Sequence, residues 1–293
     1  MLSKITVFIN ILMLLVFFSA FFVFANPQID LNKNNPFIFQ PLQASQPTIF
    51  EEVVNVQPIP ILMYHSIANY SEIDPKDPNP KLAHGLRIPP LILNNQLKLL
   101  KDKGYNTIKF EDLGNYIQFK KPLPSKPIII SFDDSWADNT IAYNKLKELG
   151  MVGSFGVVSG FMNQPGRLTS DQVKEFSDNG MEITSHTVSH PNLTIVAPAS
   201  LKNELLNSKK SLETVIGKEV NTLIYPTGAY NDAVINTAKL IGYQFGASTK
   251  AYSGTQDLKK PFELTRIRVE CNVGFSIRED SCANLGGSFF TQL

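Results

Sequence analysis

From residue 59 onward, short apolar runs of strand type take turns with stretches of helical length, and this alternation narrows the folds open to the chain more than any other feature. Ile59–Tyr64, Ile128–Phe132, Val152–Val158, Met181–Thr184 and Thr222–Tyr225 read as strands, and two more centre on Phe245 and Ile267. Between them, Leu91–Lys103, Asn139–Leu149, Ala199–Ile216 and Asp232–Ile241 read as helices. So does a segment opened by the capping box Thr169-Ser-Asp-Gln172 and closed at Gly180. A strand that returns parallel to its predecessor needs a crossover of about a dozen residues or more. Helices of this length supply it, so the chain builds parallel βα units. About seven such units predict an α/β fold, a single distorted (β/α) barrel closed like a TIM barrel but short of its eight units. A doubly wound open sheet is the alternative. No glycine-rich phosphate loop follows an early strand, which counts against a nucleotide-binding version of that sheet.

The N-terminal part reads differently. Residues 1–25 carry one charge, Lys4, ahead of an apolar run from Ile5 to Phe24, and small Ala25 stands where a signal peptidase could cut before Asn26. At about 20 residues the run is also long enough to span a bilayer. Residues 1–25 are therefore a signal peptide or an N-terminal anchor attached through residues 5–24. Either way the expected place of work lies outside the cytoplasm, in the periplasm, at the cell surface or in the medium. Residues 26–57, punctuated by Pro27, Pro36, Pro41 and Pro47 and rich in Asn and Gln, read as a linker, and 58–293 as the folded domain. Lys plus Arg total 27 against 26 for Asp plus Glu, so no basic surplus is available to hold nucleic acid. The 2 cysteines, Cys271 and Cys282, cannot build a disulfide framework or a Cys-rich zinc site; they either pair or stay as thiols. A monomer is the expected state.

Four strands run into side chains of catalytic type. Ile59–Tyr64 leads into His65, Ile128–Phe132 into Asp133-Asp134, Met181–Ser185 into His186-Thr-Val-Ser-His190, and Thr222–Tyr225 into Pro226-Thr-Gly228-Ala-Tyr230. The carboxyl ends of barrel strands are where active sites form. Two imidazoles four residues apart, joined by a carboxylate from another strand, make a three-ligand site with open positions. Such ligands suit one divalent ion, Zn2+ first, with Co2+, Ni2+ or Fe2+ as alternatives. Consecutive side chains leaving a strand diverge, so one member of the Asp pair binds the cation while the other stays free as a base. Trp136, the one tryptophan, is a candidate wall of a substrate groove.

These residues carry a resemblance. Ser131-Phe-Asp133-Asp134-Ser135 resembles the Thr-Phe-Asp-Asp-Gly motif of the polysaccharide deacetylases, the NodB-homology or carbohydrate esterase family 4 fold. His186-Thr-Val-Ser-His190 matches that family's metal motif, and Tyr225-Pro-Thr-Gly-Ala-Tyr230 is similar to its third motif. Ile61-Leu-Met-Tyr-His65-Ser further resembles the branch that deacetylates biofilm poly-N-acetylglucosamine. The resemblance implies that Asp134, His186 and His190 bind the metal and that Asp133 is the general base. It also implies that the turn bearing Pro226 and Gly228 presents the Tyr230 amide to the oxyanion. Three departures stand out: Ser135 replaces a glycine, the third motif lacks its arginine, and no histidine follows His190 to complete a C-terminal Leu-x-His motif. Arg266 and Arg268, on a late strand, are candidates to orient the base.

The chemistry implied is hydrolysis of an N-acetyl group on an N-acetylglucosamine-containing polysaccharide. An amide is a poor electrophile, so a cation must polarise its carbonyl, and the leaving amine needs an acid. His65 is the candidate acid: His186 and His190 are engaged by the metal, and His84 lies in a Pro-rich loop with no strand to position it. The competing readings are a catalytically inactive glycan-binding member of the fold and a non-haem iron oxygenase, whose facial triad also uses two histidines and a carboxylate.

Overall fold

A computed structural model describes residues 57–69, 85–252, 254–270, 288–291 and 293. The proposed signal or anchor, nearly all of the linker, His84, Cys271 and Cys282 lie outside the described residues. Among those described, no helix is long and apolar enough to cross a membrane.

The described residues form eight strands: β1 (Ile61–Tyr64), β2 (Asn106–Thr107), β3 (Pro127–Phe132), β4 (Ser154–Val157), β5 (Glu182–Ser185), β6 (Thr222–Ile224), β7 (Phe245–Ala251) and β8 (Leu264–Arg268). The helices are α1 (Pro90–Asp102), α2 (Phe110–Phe119), α3 (Asn139–Leu149), α4 (Ser170–Asp178), α5 (Pro198–Ile216), α6 (Asp232–Ile241) and the short α7 (Ser288–Thr291). The sheet runs β1-β8-β7-β6-β5-β4-β3, and β1 pairs back onto β3, so seven strands close a ring. Every pairing in it is parallel. This is the distorted (β/α) barrel of about seven units, not the open sheet. β2 adds to the start of β3, pairing Asn106 with Pro127 and Thr107 with Ile128.

Alternation along each strand divides the core in two. One cluster, including Leu62, Ile130, Phe132, Phe155, Leu146, Phe176 and Leu205, lies between the strands and the surrounding helices. The other fills the barrel with Ile61, Ile129, Ile224, Ala247 and Leu264, joined by Phe110 and Leu113 of α2. α2 is therefore the plug of the barrel's base, an element the sequence pattern passes over. Its mid-helix Gly114, a weak helix former, explains the omission: a Cβ there would stand 3.1 Å from the Phe245 ring, so close packing demands the glycine. Glu182, at the start of β5, holds the plug by accepting from the α2 amides of Phe110 (2.9 Å) and Glu111 (3.2 Å) and from the Ser154 hydroxyl (2.6 Å).

Candidate active site

At the opposite end of the barrel, the loops leaving β1, β3, β5 and β6 converge. The Asp134 carboxylate lies 3.3 Å from His186 Nε2 and 3.5 Å from His190 Nε2. The three ligand atoms are all within 4.8 Å of one another. Bonds of about 2.0–2.1 Å to a tetrahedral ion set neighbouring ligand atoms about 3.3 Å apart, so both spacings from Asp134 to the histidines suit a zinc-sized cation. The tautomer fits as well. His186 Nδ1 donates to the Ile224 carbonyl at 2.8 Å. A carbonyl can only accept, so the lone pair is left on Nε2, facing the other two ligands. Burial pushes the His186 pKa down, but the Asp134 and Asp133 carboxylates outweigh it and hold it above the ordinary value. A proton and a cation thus compete for the same lone pair.

Asp133 leaves β3 on the other side and does a different job. Arg266, reaching up from β8 inside the barrel, forms a two-pronged pair with it: Nη1 donates to Oδ1 at 2.9 Å and Nη2 to Oδ2 at 2.8 Å. Only 1% of Arg266 and 2% of Asp133 is exposed. The guanidinium is itself fixed, since Nε donates to the Ser248 carbonyl at 2.9 Å and Nη1 to Ser131 Oγ at 3.2 Å. Burial alone would push the Asp133 pKa up; the Arg266 charge reverses this and holds the carboxyl below its ordinary range. Gly156 leaves the room, for a Cβ there would stand 3.3 Å from Asp133 Oδ1. Of the two arginine candidates, Arg266 makes the contact. Arg268 is exposed at the end of β8, 3.7 Å from Glu270.

His65 is 8% exposed, and its Nδ1 is buried with no hydrogen-bond partner among the described residues. Burial lowers its pKa, against the pull of the Asp133 and Asp134 carboxylates. Its backbone is anchored by side chains sequence reading did not single out: Asn139 Nδ2 donates to the His65 carbonyl at 2.7 Å, and Asp138 accepts from Ser66 Oγ at 2.6 Å and Ile67 N at 2.9 Å. Asp138 and Asn139 follow the Asp pair closely in the chain, and that proximity was the available signal.

Trp136 is half-buried, with the Arg167 guanidinium stacked 3.8 Å from its ring centre. The same arginine donates to the Asp134 carbonyl at 2.6 Å, so one face of the indole is occupied by a cation that braces a ligand loop. Pro226 and Gly228 make the tight turn after β6. Gly228 has φ 77° and no space for a Cβ, which would meet Thr249 Oγ1 at 2.0 Å. The Tyr230 ring turns toward Tyr225, stacking at 4.9 Å, and Lys250 Nζ donates to its hydroxyl at 2.6 Å. Any part Tyr230 plays at the site therefore falls to its backbone amide.

Ser135, where a glycine was expected, has φ 60°. A left-handed backbone is why glycine suits the position. Here the serine hydroxyl accepts from Val158 N at 2.7 Å, satisfying a buried amide that a glycine would leave bare.

A barrel of parallel strands whose mouth gathers a two-histidine, one-carboxylate triad beside an arginine-paired aspartate sets a possible cation site next to an ionised base, the parts that metal-assisted hydrolysis uses. The polysaccharide deacetylase family model matches residues 120–246. YxkH of Bacillus subtilis, named as a polysaccharide deacetylase, is 30% identical over 212 residues, covering 72% of this chain and 71% of its own. The chain belongs to the polysaccharide deacetylase family. The peptidoglycan-N-acetylglucosamine deacetylase of Bacillus cereus is 31% identical over 133 residues, 44% of this chain and 59% of that one. Among solved structures, the Streptococcus pyogenes deacetylase PplD, determined with acetate, superposes with a TM-score of 0.66 at 29% identity, covering 74% of this chain and 94% of its own. Deacetylases of this family are metal-dependent, and Asp134, His186 and His190 can hold an ion.

Proposed function

We propose that the protein removes N-acetyl groups from an N-acetylglucosamine-containing polysaccharide at or outside the cell envelope, with one divalent ion, zinc first, on Asp134, His186 and His190. The observation that carries this reading is the state of Asp133: a carboxylate outside the triad, kept ionised beside it by a buried guanidinium. When bound, the ion polarises the acetyl carbonyl and lowers the pKa of water. Asp133 accepts the proton of the attacking water. Arg266 engages one lone pair on each of its oxygens, and about two of the four lone-pair sites of a carboxylate stay open. The Tyr230 N–H donates to the developing oxyanion, a contribution of about 2.7–4 kcal/mol for one such donor.

His65 is the proposed acid for the leaving amine. It lies in the field of both aspartates with a bare ring nitrogen; burial lowers its pKa, and the two carboxylates are what favour the proton it must carry. The likeness of Ile61–Ser66 to the biofilm branch puts poly-β-1,6-N-acetylglucosamine first among acceptors, with peptidoglycan, the substrate named for the Bacillus cereus relative, second. The test is acetate release from a panel of both polymers and chitin oligomers, with metal content measured on the same sample. Acetate from none of them by metal-loaded protein overturns the reading. His65→Ala should keep its metal and lose about a hundredfold or more in rate; near-normal release would remove His65 from the mechanism.

A further inference from the structure

The turn that carries the two histidine ligands is strained and held from both sides. Thr187 (φ 69°) and His190 (φ 59°) occupy the left-handed region without being glycine. Such conformations cost on the order of 1–3 kcal/mol each and persist where the surroundings over-determine them. On one side of the turn, the amides of Ser159 and Gly160 donate to the carbonyls of Thr187 and Val188 at 3.0 and 2.9 Å. Gly160 can approach this closely because it lacks a Cβ, which would lie 2.5 Å from the Val188 oxygen. On the other side stands Glu204 of α5. Its Oε2 accepts from Val188 N and Ser189 N, both at 2.9 Å, and its Oε1 accepts from Ser189 Oγ at 2.7 Å. Among the described residues these two amides have no other partner, and Glu204 forms no ion pair.

We propose that Glu204 is a positioning residue for the metal site: its carboxylate locks the 187–190 turn so that His190 meets Asp134 and His186, and thereby sets metal affinity without touching the ion. This rests on the metal-site reading above. The role is geometric, which separates it from a simple charge near a cation. A glutamine can reproduce the clamp, its oxygen taking both amides and its NH2 donating to Ser189 Oγ, which then reverses its own bond. An alanine cannot.

The experiment measures Zn2+ affinity by competition with a chromophoric chelator, the visible spectrum of the Co2+ form, and thermal melting, all on the full chain. Glu204→Ala should weaken Zn2+ binding about 10- to 100-fold and alter the Co2+ spectrum, while Glu204→Gln stays within about threefold of the unchanged protein. Lys202→Ala, exposed on the same helix, should change neither. Wild-type affinity in Glu204→Ala, or equal losses in the alanine and glutamine variants, would overturn the proposal. Should the alanine variant not fold, Glu204→Asp replaces it, retaining charge with an arm one methylene shorter; weaker Zn2+ binding is expected, and undiminished binding overturns the clamp. An unchanged protein that binds neither Zn2+ nor Co2+ would instead reject the metal-site reading.

Discussion

The base and the mouth of this barrel are built from the same strands yet are stabilised in opposite ways. At the base, Phe110 and Leu113 pack onto Ile61, Ile129, Ile224 and Leu264, and α2 is pinned at its N-terminus by Glu182. At the mouth, Asp133, Arg266, His65 and His186 are buried polar groups. Five non-glycine residues there, Asp134, Ser135, Thr187, His190 and Thr227, hold positive φ in the loops that follow β3, β5 and β6. One end gains its stability from apolar burial. The other spends some of it on fixed charges and strained turns that place a reactive constellation. Changes at the base should therefore move stability and leave metal binding alone, whereas changes at the mouth should move chemistry first.

The sharpest break in that contrast comes from two mouth variants. His186→Ala should abolish bound metal and activity together. Asp133→Asn should keep the metal and still lose about 10²–10⁴ in rate, the scale of a general base; metal content and acetate release on the same samples separate them. Metal retained in full by His186→Ala would remove it from the ligand set.

A second pair compares the ends directly by denaturant unfolding. Arg266→Met strands a buried carboxylate and should cost about 3–5 kcal/mol, with activity lost alongside. Phe110→Ala opens a cavity in the plug and should cost a similar ~3–5 kcal/mol, but the folded fraction should bind Zn2+ as tightly as before. A parallel loss of affinity in Phe110→Ala would mean the two ends are coupled.

The smallest effect is a titration at the base. Burial pushes the Glu182 pKa from 4.5 up to about 7 in spite of its three donors. Between those values the folded protein holds a proton that the unfolded chain has released, so stability falls as pH rises through this window and levels off above it. At 1.36 kcal/mol per unit the loss is at most about 3 kcal/mol. Unfolding the native protein and Glu182→Gln at pH 4.5, 6 and 8 reads it as a difference; a difference independent of pH would show that folding leaves the Glu182 pKa unshifted.

Much of the site was legible because its residues sit where strands end. His65, Asp133, Asp134, His186 and His190 each directly follow an apolar run or lie within its first turn, and period and spacing are local properties. The helix α2 was not legible, since Gly114 and the aromatics around it blur the helical pattern for the sake of a contact with Phe245, a residue far along the chain. Arg167 and Glu204 stayed hidden for a related reason. Each is a charged residue on a polar stretch, indistinguishable from solvated neighbours until the fold brings it against the Asp134 carbonyl or the Val188 and Ser189 amides.

By itself, then, the sequence determined a parallel βα architecture of about seven units and the family its motifs resemble, because strand and helix periods and short motifs are written in neighbouring residues, while closure into a ring rests on the long-range pairing of β1 with β3. Only the tertiary structure decided which of Arg266 and Arg268 meets Asp133, that α2 plugs the base, and that the Tyr230 ring turns away toward Tyr225. The first of these depends on groups more than a hundred residues apart, Asp133 just after β3 and Arg266 on β8, meeting inside one closed ring, and no local pattern encodes such a meeting.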